Sequence, residues 1–181
     1  MPRVALEQVE LQLAEPRERA FTDAAWVFEL KLDGFRLLAE RVNGVVRLQY
    51  RRGKEVSATW PEVTQALEAI PGGDFLLDGE LVVLDEQGRS RFGLLQARLS
   101  GSAGRLVYCL FDVLEEQGRD VRPLPLLERK ALLRRLVPKS SPVLRYSKHI
   151  AGEGPHVLAG ACRLGLEGIV SGCGFLSVPN L

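Results

Sequence analysis

Apolar residues fall in short runs along the chain, and most runs have the length and composition of a β-strand. The segments 24–30 (AAWVFEL) and 35–42 (FRLLAERV) are apolar enough to be buried strands. Asn43 and Gly44 follow the second segment and precede another strand-like run. This pair predicts a β-hairpin, because both residue types tolerate positive φ.

Three later segments repeat the strand pattern. Residues 75–92 and 105–121 each contain a long apolar run, with turns predicted near Gly88 and Gly118. The segment 166–176 begins as one more strand. Strands are therefore expected to outnumber helices.

Three segments predict helices. Residues 57–73 carry apolar side chains at helical spacing, with Thr59 as the expected N-cap and Pro61 in the first turn. The segment 125–138 is amphipathic with a proline at each end, and 154–165 is a short helix that ends at a glycine. Helices between groups of strands are typical of an α+β fold with largely antiparallel sheets.

The composition is that of an ordinary globular protein. The chain has 181 residues, 46% hydrophobic and 26% charged, with a net charge of +1, so a nucleic-acid partner would have to meet a local basic patch. No apolar run reaches the ~18–20 residues that span a bilayer, and the N-terminus lacks the apolar core of a signal peptide. We therefore expect a cytoplasmic protein with no membrane partner, whose weakly periodic residues 1–22 wrap the surface.

The three cysteines form no C-x-x-C pair, and with two histidines in the chain they do not predict a zinc site. We expect Cys109 and Cys162 to be core residues, because free cysteine is among the most buried residue types. The charged residues are therefore the main candidates for chemistry.

The candidate reactive residue is Lys31, in the segment KLDGFR. It follows a strongly apolar stretch and precedes an Asp-Gly pair that predicts a turn, so its stem is expected to pack while its amine points into a cleft. Desolvation and nearby positive charge lower the pKa of a lysine and free its lone pair for attack. A solvated, unreactive lysine at a strand end is the alternative interpretation.

Three further candidates stand in similar settings. Glu80 follows a second Asp-Gly pair and enters an apolar strand, Glu167 begins another strand between glycines, and Phe111 ends a buried run. Two acids, a lysine and several arginines would suit a nucleotide with its divalent metal ion, and the aromatic ring would suit stacking on a base. Each residue taken alone is also compatible with a structural role.

The motifs ELKLDGFR, YRRG, LDGELVVLD, FDVL, PLLERKALL and LEGIVS follow one another in this order. The series resembles the adenylation domain of ATP-dependent DNA ligases, in particular the ligase module of bacterial end-joining ligases, over residues 24–171. K-x-D-G alone is shared with RNA ligases and mRNA-capping guanylyltransferases, whereas PLPLLERKALL and the spacing favour DNA ligases. The resemblance implies an ATP-grasp-like nucleotidyltransferase fold over residues 23–172, followed by a divergent tail at 173–181.

The resemblance also implies roles in catalysis and metal binding. Lys31 would attack the α-phosphate of ATP, giving a lysine–AMP phosphoramidate and pyrophosphate. Glu80 would hold the ribose or a metal ion, and Glu167 would bind Mg²⁺ or Mn²⁺. Phosphoryl transfer depends mainly on positioning and charge neutralisation, which metal ions and cationic side chains supply.

Four residues would contact the substrates according to the same resemblance. Glu29 would lie near the adenine edge, and Phe111 would stack on adenine. Arg36 would contact the ribose or the 5′-phosphate of DNA, and Arg51 a phosphate or sugar. The implied function is the sealing of 3′-OH/5′-phosphate breaks in nicked or broken duplex DNA, in repair or recombination.

The sequence departs from the family pattern in three respects. Gly172 stands where the family usually has lysine or arginine, and neither the family's next strand with two lysines nor its C-terminal OB domain has a counterpart here. Single interactions with phosphates are worth about 3–4 kcal/mol in a transition state. We therefore expect a truncated adenylation domain, weak or inactive alone, with OB-domain or end-joining functions supplied by a separate protein.

Two functions of other classes stay open from the sequence. A nucleotide-binding pseudoenzyme would keep the adenosine pocket without turnover, although the retained Lys31, Glu80 and Glu167 disfavour it. An interaction module would supply a DNA-facing surface to a separate repair protein, and its DNA binding would not depend on Lys31.

Overall fold

Strands and helices alternate in the computed structural model, which describes residues 4, 6–9 and 11–175. Nine strands occur in this part of the chain: Thr22–Lys31 (β1), Phe35–Val42 (β2), Val45–Tyr50 (β3), Phe75–Leu84 (β4), Arg105–Glu116 (β5), Arg119–Asp120 (β6), Leu144–Tyr146 (β7), Ile150–Glu153 (β8) and Gly168–Cys173 (β9). The four α-helices are Pro61–Glu68 (α1), Phe92–Leu99 (α2), Leu126–Leu136 (α3) and Gly154–Arg163 (α4). The α+β class expected from the sequence is confirmed.

The strands form two sheets. The larger sheet has six strands, in the order β3-β2-β4-β5-β6, with β7 pairing to β5 in parallel. The smaller sheet has three antiparallel strands in the order β8-β1-β9. The predicted hairpin between β2 and β3 is confirmed, and its turn residues Asn43 and Gly44 have φ of 49° and 83°.

The main core lies on one face of the larger sheet. Leu77 and Leu81 of β4 are fully buried there, and α1 covers this face with Val63 and Leu67. β4 is buried along nearly all its length because β2 and β5 pair with its two edges. None of the described helices has the length and apolar composition needed to cross a membrane.

The segment before β1 packs on the opposite face of the larger sheet. Val4 and Leu6 are buried there against three leucines that alternate with main-core residues along their strands. These are Leu38, Leu76 and Leu114. Side chains from 12 to 19 are exposed, so the segment contributes to the core at its start and then follows the surface. At the other end, the predicted divergent tail begins with the last residue of β9, and 176–181 lie outside the described residues.

Two local expectations are wrong, and one helix was not expected. α1 begins at Pro61 with Trp60 as its N-cap residue, while Thr59 belongs to a preceding 3₁₀ turn. The pair Asp78-Gly79 does not precede a strand but lies inside β4, because both residues pair with β2 and β5. Helix α2 lies in a segment for which the sequence predicted no helix.

The prediction that Cys109 and Cys162 are core residues is confirmed for Cys109, which is buried, and wrong for Cys162, which is exposed. The buried residues of α4 are Gly154, Val157 and Ala161, which form one stripe along the helix. Cys162 lies one position beyond this stripe, on the outer side of the helix.

The two cysteines should differ in reactivity. Burial raises the pKa of the Cys109 thiol to about 11, and the thiolate is the form that alkylates. We expect iodoacetamide to modify the exposed Cys162 in the native protein and to leave Cys109 unmodified until denaturant is added. Peptide mass spectrometry on timed samples measures both rates. Equal rates in the native protein would contradict the burial of β5.

Candidate functional site

A cleft of about 920 Å³ lies between the two sheets. Strands β1 and β9 line one wall, and β2, β4 and β5 line the other, with the loop after β3 at the rim. The volume lies in the range of small-molecule sites. Six residues predicted from the sequence line this cleft: Glu29, Lys31, Arg36, Arg51, Glu80 and Phe111.

Lys31 is the last residue of β1 and pairs in register with Gly168 of β9. Its ammonium group forms an ion pair with Oε1 of Glu167, the seventh predicted site residue. Glu167 therefore lies beside the candidate nucleophile. The two side chains are 43% and 49% exposed, and ion pairs at such exposure contribute at most about 1 kcal/mol. Either group can therefore exchange this partner for another at low cost.

Glu29 projects from the same face of β1 as Lys31, because residues two apart on a strand share a face. Lys130 of α3 places its Nζ 2.8 Å from Glu29 Oε1, with the lysine side chain fully buried. Burial raises the pKa of the Glu29 carboxyl, and the charge of Lys130 opposes that shift. The Ser147 side chain also acts to lower the pKa of Glu29. Oε2 of Glu29 is buried and has no partner at hydrogen-bond distance among the described residues.

Arg36 and Asp78 form a two-point ion pair on the opposite wall. Arg36 Nε and Nη2 donate to the two carboxylate oxygens at 2.9 and 2.7 Å. Burial raises the pKa of Asp78, and the hydrogen bonds from Arg36 oppose it. Arg36 Nη1 also donates to the Gln12 carbonyl at 3.0 Å, and Cζ lies 4.9 Å from the centre of the Phe111 ring. The guanidinium is therefore fixed in position beside that ring.

A second buried ion pair lies next to the first. Asp112 pairs in register with Asp78 across β5 and β4, and it accepts two hydrogen bonds of 2.9 Å from Arg129. Lys130, the next residue of α3, donates to the Phe111 carbonyl at 3.1 Å. Helix α3 thus supplies two buried cations to the strand that carries Phe111.

Glu80 pairs in register with Arg36 across β4 and β2. Burial raises the pKa of the Glu80 carboxyl to about 7; Arg36 and Lys31 oppose the shift, and Asp78 adds to it. At neutral pH the ionised and the protonated forms of this side chain are therefore about equally populated. A cation bound beside it would stabilise the ionised form.

The rim after β3 carries three exposed cations. Arg51, Arg52 and Lys54 line the cleft opening, and no ion pair ties any of them to another side chain in the described ranges. Positive charge at the rim is therefore available to an anionic ligand.

Sequence reasoning missed four charged residues of this region, Asp78, Asp112, Arg129 and Lys130. Asp78 lies in the second Asp-Gly pair, and Asp112 follows Phe111 directly, so a signal was present for both. The two cations occur in the quoted motif PLLERKALL, but an amphipathic helix pattern assigns charged residues to the solvent side. Their burial depends on partners from distant strands.

The chain matches the family model "ATP dependent DNA ligase domain" over residues 12–171. It is 42% identical over 147 residues to the multifunctional non-homologous end joining protein LigD of Pseudomonas aeruginosa, covering 80% of this chain and 18% of that protein. It is 41% identical over 154 residues to a probable DNA ligase of Streptomyces coelicolor, covering 78% of this chain and 30% of that protein. The chain thus spans less than a third of the length of these relatives.

Solved structures give a consistent result. A mycobacterial DNA ligase D complexed with ATP and MES superposes with a TM-score of 0.83 at 28% identity, over 97% of this chain and 57% of that one. The ligase domain of M. tuberculosis LigD superposes with a TM-score of 0.75 at 30% identity, over 88% and 52%. The nucleotidyltransferase fold expected from the sequence is confirmed.

Gly79 lies between Asp78 and Glu80 in β4, where a side chain does not fit. A Cβ at this position would lie 2.6 Å from the Cys109 carbonyl oxygen and 2.6 Å from the Tyr108 ring. The close approach of β4 and β5, which sets the position of both acidic residues, therefore depends on this glycine.

We expect Gly79→Ala to lower the free energy of unfolding by about 1–3 kcal/mol, the usual cost of overpacking. Gly93→Ala is the matched control, because an added Cβ there meets no atom within 4 Å, and alanine in a helix is favoured over glycine by up to about 1 kcal/mol. Urea unfolding followed by circular dichroism measures both variants. A Gly79→Ala protein as stable as wild type would contradict the close approach of the two strands.

Proposed function

The chain belongs to the ATP-dependent DNA ligase domain family, and from that premise we propose that it is an adenylation domain that transfers AMP from ATP to Lys31. The AMP group then activates the 5′-phosphate of nicked or broken DNA. The end-joining relatives and the structural neighbour with bound ATP support this assignment.

The convergence of the predicted residues on one cleft is the observation that carries the proposal. Lys31 approaches from the small sheet, while Glu80 and Arg36 approach from the large sheet. A volume of about 920 Å³ is sufficient for a nucleotide. A binding protein without chemistry does not require a lysine here, so the arrangement favours an enzyme over the pseudoenzyme and the interaction module.

In the proposed step the Lys31 amine attacks the α-phosphorus of ATP. A P–N bond forms, the bond from the α-phosphorus to its bridging oxygen breaks, and pyrophosphate leaves with the bonding electrons. The ammonium form has no lone pair, so the amine's protons are released to solvent. Glu167 orients the amine before the step, and the exposure of this ion pair lets the contact open.

The nucleotide contacts follow from the positions of the walls. Glu29 offers Oε2 to the adenine edge, and Phe111 offers its ring to the base. Arg36, held by Asp78, presents a fixed guanidinium to the ribose or to the DNA 5′-phosphate. Arg51 is exposed at the rim and meets a phosphate or sugar.

A divalent ion, Mg²⁺ or Mn²⁺, is part of the proposal. The described residues contain no cluster of three or more His, Cys, Asp or Glu side chains that would hold a metal ion by themselves. Magnesium is commonly held by one or two carboxylates together with substrate phosphates, and Glu80 and Glu167 fit that mode. When bound, the ion neutralises phosphate charge in the transition state.

Duplex DNA with a nick or break is the proposed partner of the cationic rim. Arg51, Arg52 and Lys54 have the charge and exposure for phosphate contacts. A role in end joining, which is the role in the name of the Pseudomonas relative, would place the protein in the cytoplasm.

We further propose that the 181 residues alone seal DNA slowly. Arg129 is held by a buried carboxylate, and Arg51, Arg52 and Lys54 lie at the rim, so among the described residues few cations inside the cleft can meet three phosphates and a DNA end. A second protein that adds cationic contacts would complete the reaction.

Self-adenylation is the first expected outcome. After incubation with ATP radiolabelled at the α-phosphate and Mg²⁺, the wild type should carry a label that survives denaturation, because the P–N bond is covalent. Lys31→Ala should carry none. Lys139→Ala is the matched control, since Lys139 is exposed and outside the cleft. Denaturing gels measure the label.

The absence of label on folded wild-type protein would contradict the proposal and leave, at most, a nucleotide-binding or DNA-binding protein. Label on Lys31→Ala at the wild-type level would show that another residue is the nucleophile.

Nick sealing is the second expected outcome. For the chain alone, the rate of sealing a fluorescent nicked duplex should lie below the rate of self-adenylation by about 100-fold or more, the scale of one lost transition-state contact. DNA binding should weaken as salt rises, because the rim contacts are ionic. Sealing as fast as self-adenylation would contradict slow sealing by the isolated chain.

A further inference from the structure

Lys130 is fully buried, which is rare for a lysine. Its ammonium group lies 2.8 Å from Glu29 Oε1 on the small sheet and 3.1 Å from the Phe111 carbonyl on the large sheet. The Tyr146 ring lies on another side, with its centre 5.3 Å from Nζ. One buried cation therefore links residues from the two walls of the cleft.

The two linked residues are those proposed to meet the base, Glu29 at its edge and Phe111 at its face. Lys130 engages Oε1 of Glu29 and leaves Oε2 buried without a partner at hydrogen-bond distance among the described residues. An ionised carboxylate can only accept hydrogen bonds. The second oxygen is therefore poised to accept one from a ligand.

We propose that Lys130 is a positioning residue that makes the site selective for a purine with a 6-amino group, by holding Glu29 Oε1 and directing Oε2 toward the base. The inference rests on the nucleotide site proposed above. A 6-amino group donates to the carboxylate. A 6-oxo group would set two acceptors against each other in a buried setting, where unpaired polar groups are costly.

The variant Glu29→Gln separates the orienting effect from the charge. Lys130 Nζ can only donate, so it selects the amide oxygen of the glutamine, and the amide nitrogen then faces the base as a donor. This arrangement reverses the hydrogen-bond pattern and favours a 6-oxo purine. In the double variant Lys130→Met/Glu29→Gln nothing selects one amide orientation, and the preference is lost.

Calorimetric binding of the magnesium complexes of ATP and ITP to the full chain tests this, since the two nucleotides differ at the purine 6-position. All proteins carry Lys31→Ala so that no covalent transfer intervenes. The parent should prefer ATP by about tenfold or more, the scale of a hydrogen bond to a charged group. Glu29→Gln should prefer ITP, and the double variant should bind both about equally.

An equal ATP-to-ITP ratio in Glu29→Gln and in the double variant would overturn the proposal, as would a parent without preference. A merely structural role of Lys130 would weaken both nucleotides together and leave the ratio unchanged. Lys139→Met makes the same change at an exposed lysine and is the control. The double variant leaves no unpaired buried charge, so it can be measured even where Lys130→Met alone does not fold.

The two proposals fail in different ways. A parent that prefers ATP, with Glu29→Gln preferring ITP and the double variant preferring neither, would support the role of Lys130 even if the wild type takes no label from ATP, a result that would overturn the adenylation proposal. A chain that labels on Lys31 but binds ATP and ITP equally would support the adenylation proposal and overturn the role of Lys130.

Discussion

The ion pair between Lys130 and Glu29 is the contact on which the cleft depends, because it joins the small sheet to the helix that packs on the large sheet. Removing one partner of a buried pair costs about 3–5 kcal/mol, since the other charge is left without compensation. The same ammonium group bonds the Phe111 carbonyl. The Lys130 ammonium group therefore holds both residues proposed to meet the base, Glu29 and Phe111. The two walls of the cleft cannot separate at this point without breaking these contacts.

The other wall follows the same rule of paired buried charge. Asp78 and Asp112 sit opposite each other on neighbouring strands, where two carboxylates would repel, and each is neutralised by its own arginine, Arg36 or Arg129. These two arginines hold the wall together, and the exposed cations lie at the rim after β3. Arg36 both holds this wall and can meet a ligand, because Asp78 fixes its guanidinium and the same side chain lines the cleft.

The fold class and most strands follow from local patterns, because apolar runs bounded by turn residues record burial directly. The Asn43-Gly44 hairpin is the clearest case. The candidate site residues are predicted from the order of motifs, and the fold brings Lys31 and the other six to one cleft. Lys130 could not be predicted, because its burial depends on Glu29, a residue far away in the chain, and helical periodicity assigns a lysine to solvent. The predicted burial of Cys162 is wrong for a related reason, because residue type alone does not determine which face of a helix a residue occupies.

The most direct measurement is a crystal structure of the Lys31→Ala protein with ATP. We predict that the adenine 6-amino group lies at hydrogen-bond distance from Glu29 Oε2, with Lys130 still on Oε1 and the α-phosphate beside position 31. A nucleotide bound elsewhere, or one bound in the cleft with the Lys130–Glu29 pair broken, would contradict it.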